Sequence, residues 1–193
     1  MKWWEKTVEY KFIKEYVDID SFIAPLDGNE EKAGDAIFGE NEKFILIEFK
    51  KDKDSIKDEE KKFFDFASTS KTLSKKDEHH ILVYGKIDNQ NLILKARTYF
   101  SRKDIELNKK FSNGKNSKEF KEYLDDFLKS KKGSKVEGGA GSYGLVAGLT
   151  QDGSITKCLT LEEFFAEMSL NLNIEKQNNI ELSRSSFFSP GSW

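Results

Sequence analysis

The apolar run Phe44-Ile45-Leu46-Ile47 passes without a break into Glu48-Phe49-Lys50. A run of this kind belongs inside a sheet rather than at its margin. Its closing charges then sit where water is scarce, and a buried charge needs a partner or a metal. Alternate strand residues share a face. Phe44, Leu46, Glu48 and Lys50 therefore point one way. Ile45, Ile47 and Phe49 point the other way, into a layer under a helix. Glu48 and Lys50 stand about 6–7 Å apart along one face.

The surrounding pattern supplies the other layers. Residues 3–17 have a helical period, and on a wheel Glu5 and Glu9 fall inside the apolar arc of Trp4, Val8, Phe12 and Tyr16. Acids on a packed face either reach water at its edge or point into a site. Ser21–Leu26 and Ala33–Phe38 read as strands, with Gly39-Glu40-Asn41-Glu42 as the turn into the strand Lys43–Lys51. Asp58–Thr69 reads as a helix and Ile81–Tyr84 as a short buried strand. Leu92–Phe100 is a further strand, joined through Asp88-Asn89. Ser117–Lys132 is helical, with Phe120, Tyr123, Leu124, Phe127 and Leu128 spaced by three and four. Tyr143–Thr150 and Ile155–Leu159 form a hairpin, and Thr160 with Glu163 forms a capping box for the helix Leu161–Met168. The order predicts a mixed α/β core with helices on its faces. Residues 1–108 hold that core, 109–170 complete or extend it, and 171–193 form a polar tail.

A hairpin turning near Asn41-Glu42 sets Asp35 opposite Glu48, provided the register holds. Two carboxylates and one ammonium then converge. Rigid carboxylates suit Mg²⁺, which takes oxygen ligands and keeps several waters. A lysine beside such an ion orients an attacking water or neutralises phosphate charge.

Asp35, twelve residues, then Glu48-Phe49-Lys50 resembles the D…(D/E)xK signature of the PD-(D/E)XK nuclease superfamily. Gly34 stands where that motif has proline. The resemblance covers the first half of the chain. It implies a restriction-endonuclease-like αβββαβ core with a mixed central sheet flanked by helices. It also implies a Mg²⁺- or Mn²⁺-dependent nuclease acting on DNA, in restriction, repair or anti-phage defence. Asp35 and Glu48 would bind the metal, helped by the Phe49 carbonyl, and Lys50 would position the water. Glu9, or in its place Glu5, would be the acid from the first helix. The alternative is a non-catalytic subunit of the same fold that binds nucleic acid or a protein.

Charge and composition bound the partners. With 34% charged residues and a net charge of −2, the chain is not globally basic, but it is charge-segregated. Residues 109–135 hold nine Lys and four acids, with Phe120, Tyr123 and Phe127 interleaved. Lys129, Lys131 and Lys132 are the candidate phosphate contacts there, against the plainer reading of a solvated helix. A lone Cys158 excludes a disulfide framework and suits a reducing cytoplasm. No stretch is apolar enough for a membrane span. The small size points to a homodimer or a subunit of a larger complex. His79-His80 reads as a surface pair. The literal GxGxxG at Gly139–Gly144 lacks the strand before it and the helix after it that a dinucleotide site needs.

Overall fold

The computed structural model describes residues 2–17, 42–132 and 144–169. Helix α1 spans Glu5–Tyr16, and strand β1 spans Lys43–Lys50. A 3-10 helical segment, Asp54–Lys62, leads to α2, Phe66–Leu73. Strands β2 (His80–Asp88), β3 (Asn91–Thr98), β4 (Asp104–Ile105) and β5 (Lys115–Asn116) precede α3, Ser117–Ser130. Strands β6 (Leu145–Leu149) and β7 (Ile155–Leu159) follow, and residues 161–169 form α4.

The seven strands make one open mixed sheet in the order β4-β3-β2-β1-β6-β7, with β5 also on β1. Strands β1 and β2 run parallel, with Glu48 beside Leu82 and Lys50 beside Tyr84. The other named pairs are antiparallel. Every residue of β1 after Lys43 is buried, as its apolar run requires of a central strand.

Each face carries its own core. On one, Val8 and Phe12 of α1 pack on Ile45, Ile47 and Phe49. On the other, Phe44 and Leu46 meet Phe120, Tyr123, Leu124 and Phe127 of α3 and Phe164 of α4. Local chemistry sets the helix starts. Asn116 accepts the Glu119 N–H at 3.0 Å. Asp65 accepts the Ser68 N–H at 3.0 Å. Thr160 and Glu163 exchange bonds at 2.6 and 3.1 Å, completing the expected capping box.

Two expectations change. The helix over 58–69 is instead a 3-10 segment and α2, separated by an extended Phe63 (φ −102°, ψ 151°). Phe63 bridges to Lys131, and Asp65 caps a fresh helix start. The second change concerns the neighbour of β1. Its edge from Lys43 to Ile47 pairs with Leu149 to Leu145 of β6. The opposite edge holds β5 and β2. The place expected for a hairpin from residues 21–38 is thus held by residues 145–159. The strands expected at 21–26 and 33–38, and Asp35 with them, lie outside the described residues, as does most of the glycine-rich stretch.

Candidate functional site: a buried acid–lysine cluster

Period two sends Glu48 and Lys50 to the α3 side of the sheet, beyond Phe44 and Leu46. There they are 2% and 4% exposed. The 3-10 segment packs over them and contributes Glu59, which is 1% exposed. Lys50 Nζ lies 2.7 Å from Glu59 Oε1, as does Lys62 Nζ. The Tyr99 O–H donates to Glu59 Oε2 at 2.7 Å. Lys131 Nζ donates to Glu48 Oε1 at 3.1 Å. Lys131 is also ringed by aromatics, with its ammonium 4.2 Å from the Phe127 ring centre and 5.8 Å from those of Phe63 and Tyr99.

One backbone device brings both outer lysines in. Phe64 N–H donates to Ser130 O at 3.1 Å, and Lys132 N–H donates to Lys62 O at 2.8 Å. This short pairing of residues 62–64 with 130–132 hangs Lys62 over Glu59 and Lys131 over Glu48. His80 completes the floor. Its Nδ1 lies 2.8 Å from the Tyr123 hydroxyl, and its Nε2 lies 3.7 Å from Glu48 Oε1. With the Tyr123 O–H donating to Nδ1, the proton sits on Nε2 and faces Glu48.

The electrostatics follow from these contacts. Burial pushes the Glu48 carboxyl up, but Lys131 first, then His80 and Glu59, hold it well below the usual carboxylate range. Burial pulls the Lys50 ammonium down, and Glu59 outweighs that, so the net shift is upward. Burial lowers His80 despite Glu48 beside it, so the imidazole is neutral. Burial, aided by Glu48 and Glu59, drives the Tyr99 phenol strongly upward. Among the described residues, Glu48 Oε2 and His80 Nε2 are buried without a hydrogen-bond partner, and Glu59 Oε1 is met only by its ion pairs. Of these, Glu48 Oε2 is a carboxylate oxygen with unmet demand for a donor or cation.

The structure brings Glu48 and Lys50 together as the strand period requires. It does not bring Glu9 to them. Helix α1 lies on the opposite face, and both Glu9 oxygens are 2.8 Å from Lys6 Nζ. Glu5 comes nearer, 3.7 Å from Lys50 Nζ, because the Trp3 indole N–H donates to Lys51 O at 2.7 Å and pins the start of α1 beside the end of β1. Beyond the Ile47–Leu145 pair, the next residue of the β6 chain is Gly144. A Cβ there would run into Ile47 O and come within 3.0 Å of Glu48 Cγ, so this neighbour offers no carboxylate. Of the three candidate phosphate contacts, Lys129 and Lys132 are exposed. Lys131 is not: it is 5% exposed and spent on Glu48. The paired histidines are 1% and 0% exposed. The strand begins only at His80, so alternation does not separate them, and both rings lie against Tyr123 of α3.

The sequence reading omits Glu59 as a site residue, and it gives Lys131 to phosphate rather than to Glu48. Glu59 was legible: Ile56, Glu59 and Phe63 share a stripe at spacings of three and four, and an acid inside it carries the same signal that singled out Glu5 and Glu9. Lys131 carries no such signal, being one lysine of a charge run.

No group of three or more His, Cys, Asp or Glu among the described residues is placed to hold a metal ion. The chain matches no family model, no curated protein and no solved structure. Fold and site together define a mixed α/β protein with a buried acid–lysine cluster at the carboxyl end of a central strand.

Proposed function

We propose that this protein is a Mg²⁺-dependent nuclease that hydrolyses phosphodiester bonds in DNA. One observation carries the reading. Glu48 and Lys50 are buried side by side at the carboxyl end of β1, next to Glu59, and Glu48 Oε2 lacks a hydrogen-bond partner among the described residues. In open α/β sheets, ligands bind outside the carboxyl ends of parallel strands.

The donor set suits a hard cation, since carboxylate oxygens are what Mg²⁺ takes. Glu48 would hold the ion through Oε2, with Glu59 beside it and Asp35 as the further ligand that the D…ExK pattern implies. A bound Mg²⁺ would supply charge neutralisation at a phosphoryl oxygen. Lys50 would hold the attacking water and stabilise developing negative charge. Its raised basicity keeps it cationic at neutral pH. His80, neutral and anchored by Tyr123, would fix the Glu48 carboxylate through Nε2–H. Glu5 stands in for Glu9 as the acid from the first helix.

A second reading has its own observation. Glu5, Glu48 and Glu59 meet Lys50, Lys62 and Lys131, so three carboxylates face three ammonium groups. A charge-balanced cluster of this kind suits a non-catalytic subunit of the same fold. Calorimetric titration with Mn²⁺ separates the two readings. The nuclease reading expects one binding event, abolished in Glu48→Gln, and cleavage of plasmid DNA that follows the same metal dependence. A wild-type protein that takes up no Mn²⁺ and cuts no DNA makes the subunit reading the correct one.

A further inference from the structure

The face that carries Glu48 continues across the sheet. Glu48 is in register with Leu82, Leu82 with Arg97, and Arg97 with Asp104. Arg97 therefore shares a face and a row with Glu48, two strands away, about 9–10 Å between backbones. Arg102 lies just past the end of β3, where its backbone takes the left-handed conformation at φ +56°. Non-glycine residues rarely adopt that region, and when they do it is often at a working site.

Both guanidinium groups are held and under-used. Arg102 is stacked, its central carbon 5.8 Å from the Phe66 ring centre and 5.6 Å from that of Tyr99. Arg97 lies 6.0 Å from the Tyr84 ring centre. Arg102 Nη1 and Nη2 and Arg97 Nε are buried and have no hydrogen-bond partner among the described residues. Among the described residues, the acid paired with Arg102 is Glu60, at 3.9 Å, beyond hydrogen-bonding range. Arg97 spends Nη2 on Asp104 at 2.6 Å, and that Asp104 side chain is 78% exposed. The side chains of Arg97 and Arg102 as wholes remain 15% and 23% exposed, so both residues lie near the surface although these donor atoms are covered. Burial and the neighbouring Arg97 each disfavour the charge on Arg102. Lys53 and Lys95 are close enough to act on Asp104. Desolvated guanidinium donors without acceptors are costly, and an arriving anion with several oxygens removes that cost. Tyr99 links the two sites: its ring lies beside Arg102, and its hydroxyl holds Glu59.

We infer that Arg97 and Arg102 form a phosphate-binding subsite on the Glu48 face, which seats a backbone phosphate of the bound nucleic acid next to the one at Glu48. The inference rests on the nuclease reading for the identity of the anion. Asp104 occupies Arg97 until that phosphate replaces it.

The test is fluorescence anisotropy with a short fluorescein-labelled DNA duplex in EDTA, over a series of salt concentrations, on the full chain. Arg97→Gln and Arg102→Asn should each weaken binding about tenfold or more, the size of a lost charged hydrogen bond. Each should also lower the salt slope by about one. Asparagine suits the left-handed backbone at 102, and thermal melting checks the fold. If Arg102→Asn unfolds, Arg102→Lys, which keeps the charge without the fork, should show an intermediate loss. Asp104→Asn should tighten binding, an effect that a purely structural role for Arg97 would not produce. Wild-type affinity in the arginine variants, no gain in Asp104→Asn, or no binding by the wild type overturns the subsite. The Mn²⁺ titration at Glu48 contains no DNA, so it judges the catalytic reading independently.

Discussion

The two faces of β1 come from the same eight residues and meet opposite demands. On the α1 face, Ile45, Ile47 and Phe49 belong to an apolar cluster, and close packing suffices to hold them. On the α3 face, the strand begins the same way with Phe44 and Leu46, then delivers Glu48 and Lys50 into a region just as closed to water. Apolar residues of similar volume would fill that region at no loss, since buried ion pairs often stabilise less than the hydrophobic groups that could replace them. The contrast teaches that the charged half of the strand is not explained by folding. It also shows where each face is fragile: the dry face responds to volume, and the charged face responds to the loss of any single partner.

The largest effect expected is on activity. Glu48→Gln and Lys50→Ala should each reduce plasmid cleavage by about 100-fold or more, the usual consequence of removing a preorganised charge from a site. Ile47→Val, one residue away on the dry face, should leave the cleavage rate near wild type. Equal losses in all three would erase the distinction between the faces.

Next in size is stability. Removing Glu59 leaves Lys50, Lys62 and the Tyr99 hydroxyl without their shared acceptor. Glu59→Ala should cost about 3–5 kcal/mol in urea unfolding, as breaking a buried pair does. Lys50→Ala should cost less than Glu59→Ala, because Lys62 still covers Glu59. On the other face, Ile47→Val should cost about 0.5–1.5 kcal/mol. A Glu59→Ala variant no less stable than Ile47→Val would mean that the charged face is as forgiving as the dry one.

The last expected effect is a pH dependence. His79 packs edge-on to Tyr123 and is lowered to about 3, mainly by burial. A neutral buried histidine binds fewer protons than its unfolded counterpart between pH 6.5 and about 3. Its share of stability is therefore complete above pH 6.5 and falls away as the pH drops through that window, by up to about 1.4 kcal/mol per pH unit. His79→Phe should flatten the acid limb of the stability curve across that range. Glu48, also depressed, contributes a loss that begins below the ordinary glutamate pKa and continues to lower pH. Melting temperatures measured from pH 7 to pH 4 check both, and an unaltered acid limb in His79→Phe would refute the assignment.

Short-range features were legible in the sequence, and long-range partners were not. The β1 run, the three-four spacing in α3 and the Thr160–Glu163 box each depend on neighbours within one turn or one strand. The two faces of β1 also followed from period two alone. The occupant of the edge beside β1 did not, because any apolar strand satisfies that edge and the sequence does not say which will. Leu145–Leu149 takes it, from about a hundred residues downstream. Lys131 was misread for a related reason. In a charge run its type signals solvent, and only the pairing of residues 62–64 with 130–132 turns it inward. Glu9 and Glu59 carried the same signal, an acid in an apolar stripe. Nothing local distinguishes the helix that packs under the sheet from the segment that packs over the site.

The late arrival of β6 bears on how the chain becomes folded as it is made. Until residues 145–149 emerge, the Lys43–Ile47 edge of the buried strand β1 has no partner on that side among the described strands. Unpaired apolar edges invite association between chains, and pairings across long sequence separations form slowly. A nascent chain that has reached only α3 therefore presents a sticky edge for as long as synthesis needs to add the last hairpin. Gly153, at φ +86° against the Phe111 backbone, sets the tight turn of that hairpin. The delay between α3 and that hairpin in synthesis thus governs how long the interior of the protein stays open to the wrong partner.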